Sequence, residues 1–150
     1  FKHQQLIFQS HFKFRFRKLK IQIFNYTLNL KNSYLVKLNV NNIMIEIIRN
    51  NSRIWIGQND LDNWNIIDNS KPDSIWFHLK SFPSPHVIIQ NPEYSKEEIS
   101  EAANLCKKYF KFKNLKNLKI SYCKISNIKK SEKIGSVEFI SNRQVSYIKI

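Results

Sequence analysis

Between Ser74 and Gln90 the chain reads S-I-W-F-H-L-K-S-F-P-S-P-H-V-I-I-Q. An indole, two imidazoles and an ammonium in one short segment form a set suited to nucleic acid. A ring can stack on a base, a lysine can meet a phosphate, and an imidazole can donate or accept at either.

Those side chains need an element that gathers them. Residues 75 to 79 alternate with period two, so Ile75, Phe77 and Leu79 share one face of a strand, and Trp76, His78 and Lys80 share the other. A second run, 86 to 90, follows a loop whose Pro83 and Pro85 cannot donate to a ladder, which predicts a hairpin. If Val87 and Ile89 join the core, pairing parity places His86 beside Trp76, His78 and Lys80 on a non-core face. The competing arrangement has Trp76 packed beneath a helix and both imidazoles satisfying buried backbone groups.

Other chemistries fit less well. Cys106, Cys123, His78 and His86 supply a zinc inventory, but no pair has the close C-x-x-C or H-x-x-x-H spacing, so no metal is expected. With Gly57 and Gly135 as the only glycines, a phosphate-cradling loop is excluded, and no nucleotide cofactor is expected. A catalytic His with Asp73 or a nearby Ser lacks a nucleophile elbow, and no enzyme activity is expected.

The 150 residues suffice for one domain, and the net charge of +14 favours polyanionic partners, nucleic acid first and an anionic membrane second. Residues 1–43 hold eight Lys/Arg and no acid, whereas 44–150 hold seventeen against eleven acids. The single methionine is Met44, at the point where orderly alternation begins. The expected division is therefore a basic N-terminal extension or over-extended gene model over 1–43, with translation starting at Met44, and a domain over 44–150. Phe12-Lys13-Phe14-Arg15-Phe16-Arg17 alternates ring and cation and, as a strand, would offer a nucleic-acid or lipid surface. Two cysteines make no disulfide framework and no signal-peptide core is present, so the expected compartment is the cytoplasm, with the nucleus second.

From Met44 the elements follow in order. Ile45–Arg49 and Arg53–Gly57 read as strands joined at Asn50-Asn51-Ser52, and a short helical turn is expected around 61–67. Ser95-Lys96-Glu97-Glu98 is a capping box opening a helix to about residue 110, which buries Ile99, Ala102, Ala103, Cys106 and Phe110. Leu118, Ile120 and Tyr122 alternate in a further strand, and 134–140 with 144–150 suggest a closing hairpin. The fold class is α+β, a mixed or antiparallel sheet with one dominant helix packed on it. After the helix Lys107, Lys108, Lys111 and Lys113 begin a lysine-rich stretch that continues to Lys129, Lys130 and Lys133.

Several of these residues also fall in a known pattern. Ile54-Trp55-Ile56-Gly57 with Asn63, Ile75-Trp76-Phe77-His78, Pro83 with His86-Val87-Ile88-Ile89, Ala102-Ala103-Asn104-Leu105, and Ser126-Asn127-Ile128-Lys129-Lys130 before Gly135-Ser136-Val137 resemble the NFACT-R domain family. The size and the S-N-I-K-K form resemble its small eukaryotic type, similar to coiled-coil domain-containing protein 25, more than its large multidomain members. The family's Gly after Pro83 is Ser84 here, followed by Pro85, and its acid before the tryptophan is Ser74, with Asp73 shifted by one. The resemblance implies a non-catalytic RNA-binding domain, with tRNA or rRNA as ligand and the ribosome or a quality-control protein as partner, in translation or ribosome-associated quality control. On this reading Trp76 stacks, His78, His86 and Lys80 make polar contacts, and Lys107, Lys108, Lys111, Lys113, Lys129 and Lys130 meet phosphates. Gly57, Asn63, Phe77, Pro83 and Gly135 carry the motif structurally. The alternatives are a protein-interaction module of the same pathway and a general nucleic-acid binder that includes DNA.

Overall fold

The computed structural model describes residues 26–30, 34–39, 44–49, 52–111 and 113–150. The Phe12–Arg17 run and the Asn50-Asn51 part of the first turn lie outside the described residues. Ten strands are present among the described residues: β1 (Tyr26–Leu30), β2 (Tyr34–Asn39), β3 (Met44–Arg49), β4 (Ser52–Gly57), β5 (Ile75–Leu79), β6 (Val87–Ile89), β7 (Lys119–Lys124), β8 (Ile128–Lys130), β9 (Val137–Phe139) and β10 (Ser146–Lys149). Eight of them form one antiparallel sheet in the order β1-β2-β3-β4-β6-β5-β7-β10, and β8 pairs with β9 apart from it. β1 and β2 thus join the sheet from within the basic segment through the register of β2 on β3, Leu35 opposite Ile48.

The expected hairpins at 45–57 and 75–90 form with the anticipated parity: Ile45 lies opposite Ile56, and Phe77 opposite Val87. Helix α1 (Asp60–Asp68) fills the region read as a helical turn, and Asn59 caps it by accepting from Asp62 N–H. Helix α2 (Lys96–Lys108) begins with the Ser95/Glu98 capping box, in which Ser95 Oγ accepts Glu98 N–H at 3.2 Å and Glu98 Oε2 accepts Ser95 N–H at 2.6 Å. Its buried stripe, Ala102, Ala103 and Cys106, continues into Phe110 and packs on the sheet face of Ile54, Ile56, Phe77, Leu79, Val87 and Ile120. Phe77 stacks there on Tyr122 with centroids 5.4 Å apart.

Two expectations need correction. The reverse face of the sheet is not a non-core face: Trp76, Ile88 and Cys123 form a second buried cluster with Ile66 of α1 and Ile125, Ile128 and Val145. The domain therefore has α2 on one side of the sheet, and α1 with the β8–β9 hairpin on the other. The closing hairpin of 134–140 on 144–150 does not form either. β9 turns back onto β8, and a 3₁₀ turn at Asn142–Gln144 redirects the chain so that β10 pairs with β7. Asn127 fixes that crossing, since its Nδ2 donates to Ser141 O and its Oδ1 accepts from Ser141 N, both at 2.9 Å.

Candidate functional site

Strand pairing brings Trp76, His78 and His86 together as parity required. Trp76 and His78, two apart on β5, stack with centroids 5.6 Å apart and planes within 5°. His86, entering β6, stands edge-on to both at 5.2 Å. With Asn63, Ser121 and Phe139 these rings line a cleft of about 370 Å³ whose lining also includes Lys80, Lys133 and Pro83.

The rings are scaffold more than surface. Trp76 is only 2% exposed and Phe139 meets it edge-on at 5.8 Å, so its faces are not open to a base. The stacking role expected for Trp76 therefore does not fit its packing. It was the arrival of α1 and the β8–β9 hairpin, from distant parts of the chain, that closed this face.

The two imidazoles are neutral. His78 Nδ1 lies 2.6 Å from Leu79 O, and Nε2 accepts Ser84 N–H at 3.4 Å, which places the proton on Nδ1. Burial holds His78 below its ordinary value of 6.5, and pushes His86 down to about 3 with the neighbouring His78 adding to the shift. Neither brings a positive charge to a phosphate at neutral pH. Trp76 Nε1 and His86 Nδ1 are buried without a hydrogen-bond partner among the described residues.

The motif residues explain how His86 is held. Asn63 Oδ1 accepts the buried His86 N–H at 3.0 Å, and Gly57 N–H donates to His86 O at 3.0 Å. A Cβ at Gly57 would collide with Asn63 Oδ1, so the pair Gly57/Asn63 is one device. At the departing turn the Ser84 hydroxyl accepts Leu79 N–H at 3.0 Å and donates to Pro85 O at 3.2 Å, which gives Ser84 a closing role that a glycine could not supply. Gly135, at φ 81°, lets the β8–β9 loop approach α1: a Cβ there would sit 2.7 Å from Asp60 Cα.

The lysines separate into groups. Lys129 pairs with Glu138 at 3.0 Å across β8–β9, and Lys130 pairs with Asp68 at 2.7 Å while lying 5.1 Å from the centroid of the Trp64 ring. Trp64 Nε1 donates to Ser136 O at 2.9 Å, so Lys130 and Trp64 together fasten the hairpin to α1. Lys107, Lys108 and Lys113 line a different, open groove of about 470 Å³ at the end of α2, on the opposite side of the sheet from Trp76; Lys111 is exposed nearby in the chain. Lys80 stands on the cleft side, exposed, with Nζ 4.9 Å from the Tyr147 ring centroid.

Ser121 and Tyr147 lie outside the sequence motifs. His78 lies opposite Ser121 and Ser121 opposite Tyr147, so the three form one row across β5, β7 and β10. Finding them required the β7–β10 pairing, and the only sequence signal was period-two alternation in 146–150. Both cysteines are inert: burial raises the Cys106 thiol pKa strongly and that of Cys123 to about 11. Among the described residues no helix is long and apolar enough to cross a membrane, and no group of His, Cys, Asp and Glu could hold a metal ion.

Comparison with known proteins matches residues 44–141 to the family described as NFACT protein RNA binding domain. The chain is 32% identical over 95 residues to the Rqc2 homolog RqcH of Bacillus subtilis, covering 61% of this chain and 17% of that protein. It is 26% identical over 106 residues to coiled-coil domain-containing protein 25 of Danio rerio, covering 65% and 51% respectively. A solved structure, the C-terminal of the fibronectin/fibrinogen-binding protein from Streptococcus suis, shares the fold with a TM-score of 0.62 at 21% identity over 89% of this chain and 48% of that one. The chain thus spans about half or less of the length of each of these relatives.

Proposed function

This chain belongs to the NFACT protein RNA binding domain family, and from that premise we propose that it binds RNA, tRNA or rRNA, without catalysing a reaction on it. The observation that carries the reading is the cationic margin of the cleft. Lys80 and Lys133 line it, and neither is ion-paired among the described residues. Uncompensated ammonium groups on a protein of net charge +14 are suited to phosphate.

In this reading Trp76, His78 and His86 form a rigid wall that fixes the cleft's shape. Lys80, Lys107, Lys108, Lys111 and Lys113 supply phosphate contacts on the two sides of the sheet. Lys129 and Lys130 would contribute only by leaving Glu138 and Asp68. The non-catalytic reading is supported by His78, whose two ring nitrogens are engaged with backbone, and by thiols held protonated. Likeness to a protein named as an Rqc2 homolog supports a role in ribosome-associated quality control, with the ribosome or another protein of that pathway as partner.

Ultraviolet crosslinking in cells followed by sequencing of the bound RNA tests the proposal. Enrichment of tRNA or rRNA is expected, and recovery of no RNA above background would retire it.

A further inference from the structure

The end of the sheet nearest the cleft carries an unusual row. Lys149 on β10 lies directly opposite Lys119 on β7. The β5–β7 ladder, which pairs Leu79 with Ile120, continues one step further through Lys80 N–H donating to Lys119 O at 2.8 Å. Residues opposed across strands share a face, so Lys80, Lys119 and Lys149 stand side by side over two inter-strand steps, roughly 10 Å. Like charges directly opposite one another destabilise a sheet. No carboxylate among the described residues is ion-paired with any of the three.

A second observation lies beside the row. Tyr147 is 42% exposed, and its ring centroid lies 4.9 Å from Lys80 Nζ and 4.8 Å from Lys119 Nζ. The electron-rich ring relieves part of the repulsion but cannot neutralise two ammonium groups. Both ammonium groups lie over this half-exposed ring and on flexible stems, so they can swing out to phosphates while a base takes their place on the ring. Only an unpaired base presents a free face for such stacking.

We propose that Lys80, Lys119 and Lys149 form a phosphate track for single-stranded RNA, with an unpaired base stacked on Tyr147. The proposal rests on the RNA-binding reading above and deepens it by choosing single strands over duplex. Tyr147 takes the stacking role that burial denies to Trp76. The row is a place where stability of the free protein is given up for an anionic ligand.

The test is fluorescence anisotropy of the full chain with a labelled single-stranded RNA and with its duplex, beside thermal melts without RNA. The single strand is expected to bind more tightly, and Tyr147→Ala to weaken it about tenfold while Tyr147→Phe retains binding. Lys119→Gln with Lys149→Gln should lower the slope of log K against log salt by about 1.4, yet raise the melting temperature, which a merely structural role would not do. Equal duplex binding, or unchanged single-strand binding by both the Tyr147→Ala and the double-Gln variants, would overturn the track while leaving RNA binding intact. Binding of neither RNA by the unmodified chain would overturn both readings.

Discussion

Asn63 reaches across Gly57 to hold His86: its Oδ1 accepts the His86 N–H at 3.0 Å, in a space that a side chain at Gly57 would occupy. The cleft wall thus depends on a contact between α1 and the start of β6. Asn63→Ala should leave a buried donor unpaired and cost about 1–3 kcal/mol of stability, read from the urea midpoint. An unchanged midpoint would mean that His86 is anchored without Asn63.

Gly57→Ala forces the same asparagine to move and should destabilise by about 1–3 kcal/mol. Because the collision is with the Asn63 side chain, Gly57→Ala should cost less in an Asn63→Ala background. Additive effects in the double-mutant cycle would show that the two residues do not act as a unit.

Acid should loosen the domain through His86. Its folded pKa of about 3 lies below the ordinary 6.5, so the unfolded chain binds the proton first. The contribution is fully present above pH 6.5 and is lost as pH falls from 6.5 toward 3. At pH 5 that is on the order of 2 kcal/mol. Urea midpoints at pH 7 and pH 5 measure it, and His86→Gln should flatten the dependence but leave the part due to His78, whose pKa is also lowered. A pH slope unaltered by the substitution would count against a buried neutral imidazole.

Trp76 should matter to folding rather than to RNA contact. Trp76→Ala removes a side chain 2% exposed and should cost about 3–5 kcal/mol. Trp76→Phe, if folded by circular dichroism, should retain RNA affinity within about twofold, since its faces are already covered by His78, His86 and Phe139. A large loss of affinity in a folded Trp76→Phe protein would restore the stacking role.

Local pattern carried much of this arrangement. Period-two alternation in Ile75–Leu79 and the Ser95/Glu98 box reported contacts within one or two elements, and those elements formed as expected. Parity correctly gathered Trp76, His78 and His86, but parity specifies a face and says nothing of what later covers it. Ile66 and Phe139, which bury that face, come from α1 and β9, and no local signal linked them to β5. The 134–150 stretch misled for the same reason. Its alternation fits strands, but the partners of β9 and β10 are β8 and β7 rather than each other. Lys129 and Lys130 looked like free cations because Glu138 and Asp68 are brought to them only by the folded hairpin.

That pairing gives a further prediction. Lys129→Ala with Lys130→Ala should weaken RNA binding less than Lys80→Ala alone, because two ion pairs must break before those lysines meet phosphate. As the pairs are exposed, their removal should cost about 0–1 kcal/mol of stability each. Filter binding of one RNA to the two variants ranks them, and a greater loss from the Lys129/Lys130 pair would reverse the assignment.

The measurement nearest the central claim is RNA affinity of the full chain across a salt series. Phosphate-driven binding predicts that log K falls linearly with log salt, by about 0.7 for each single-strand phosphate contacted, with a shallower slope in Lys80→Ala. A salt-insensitive association, unchanged in Lys80→Ala, would contradict RNA binding through the cleft lysines and favour a protein partner on this face.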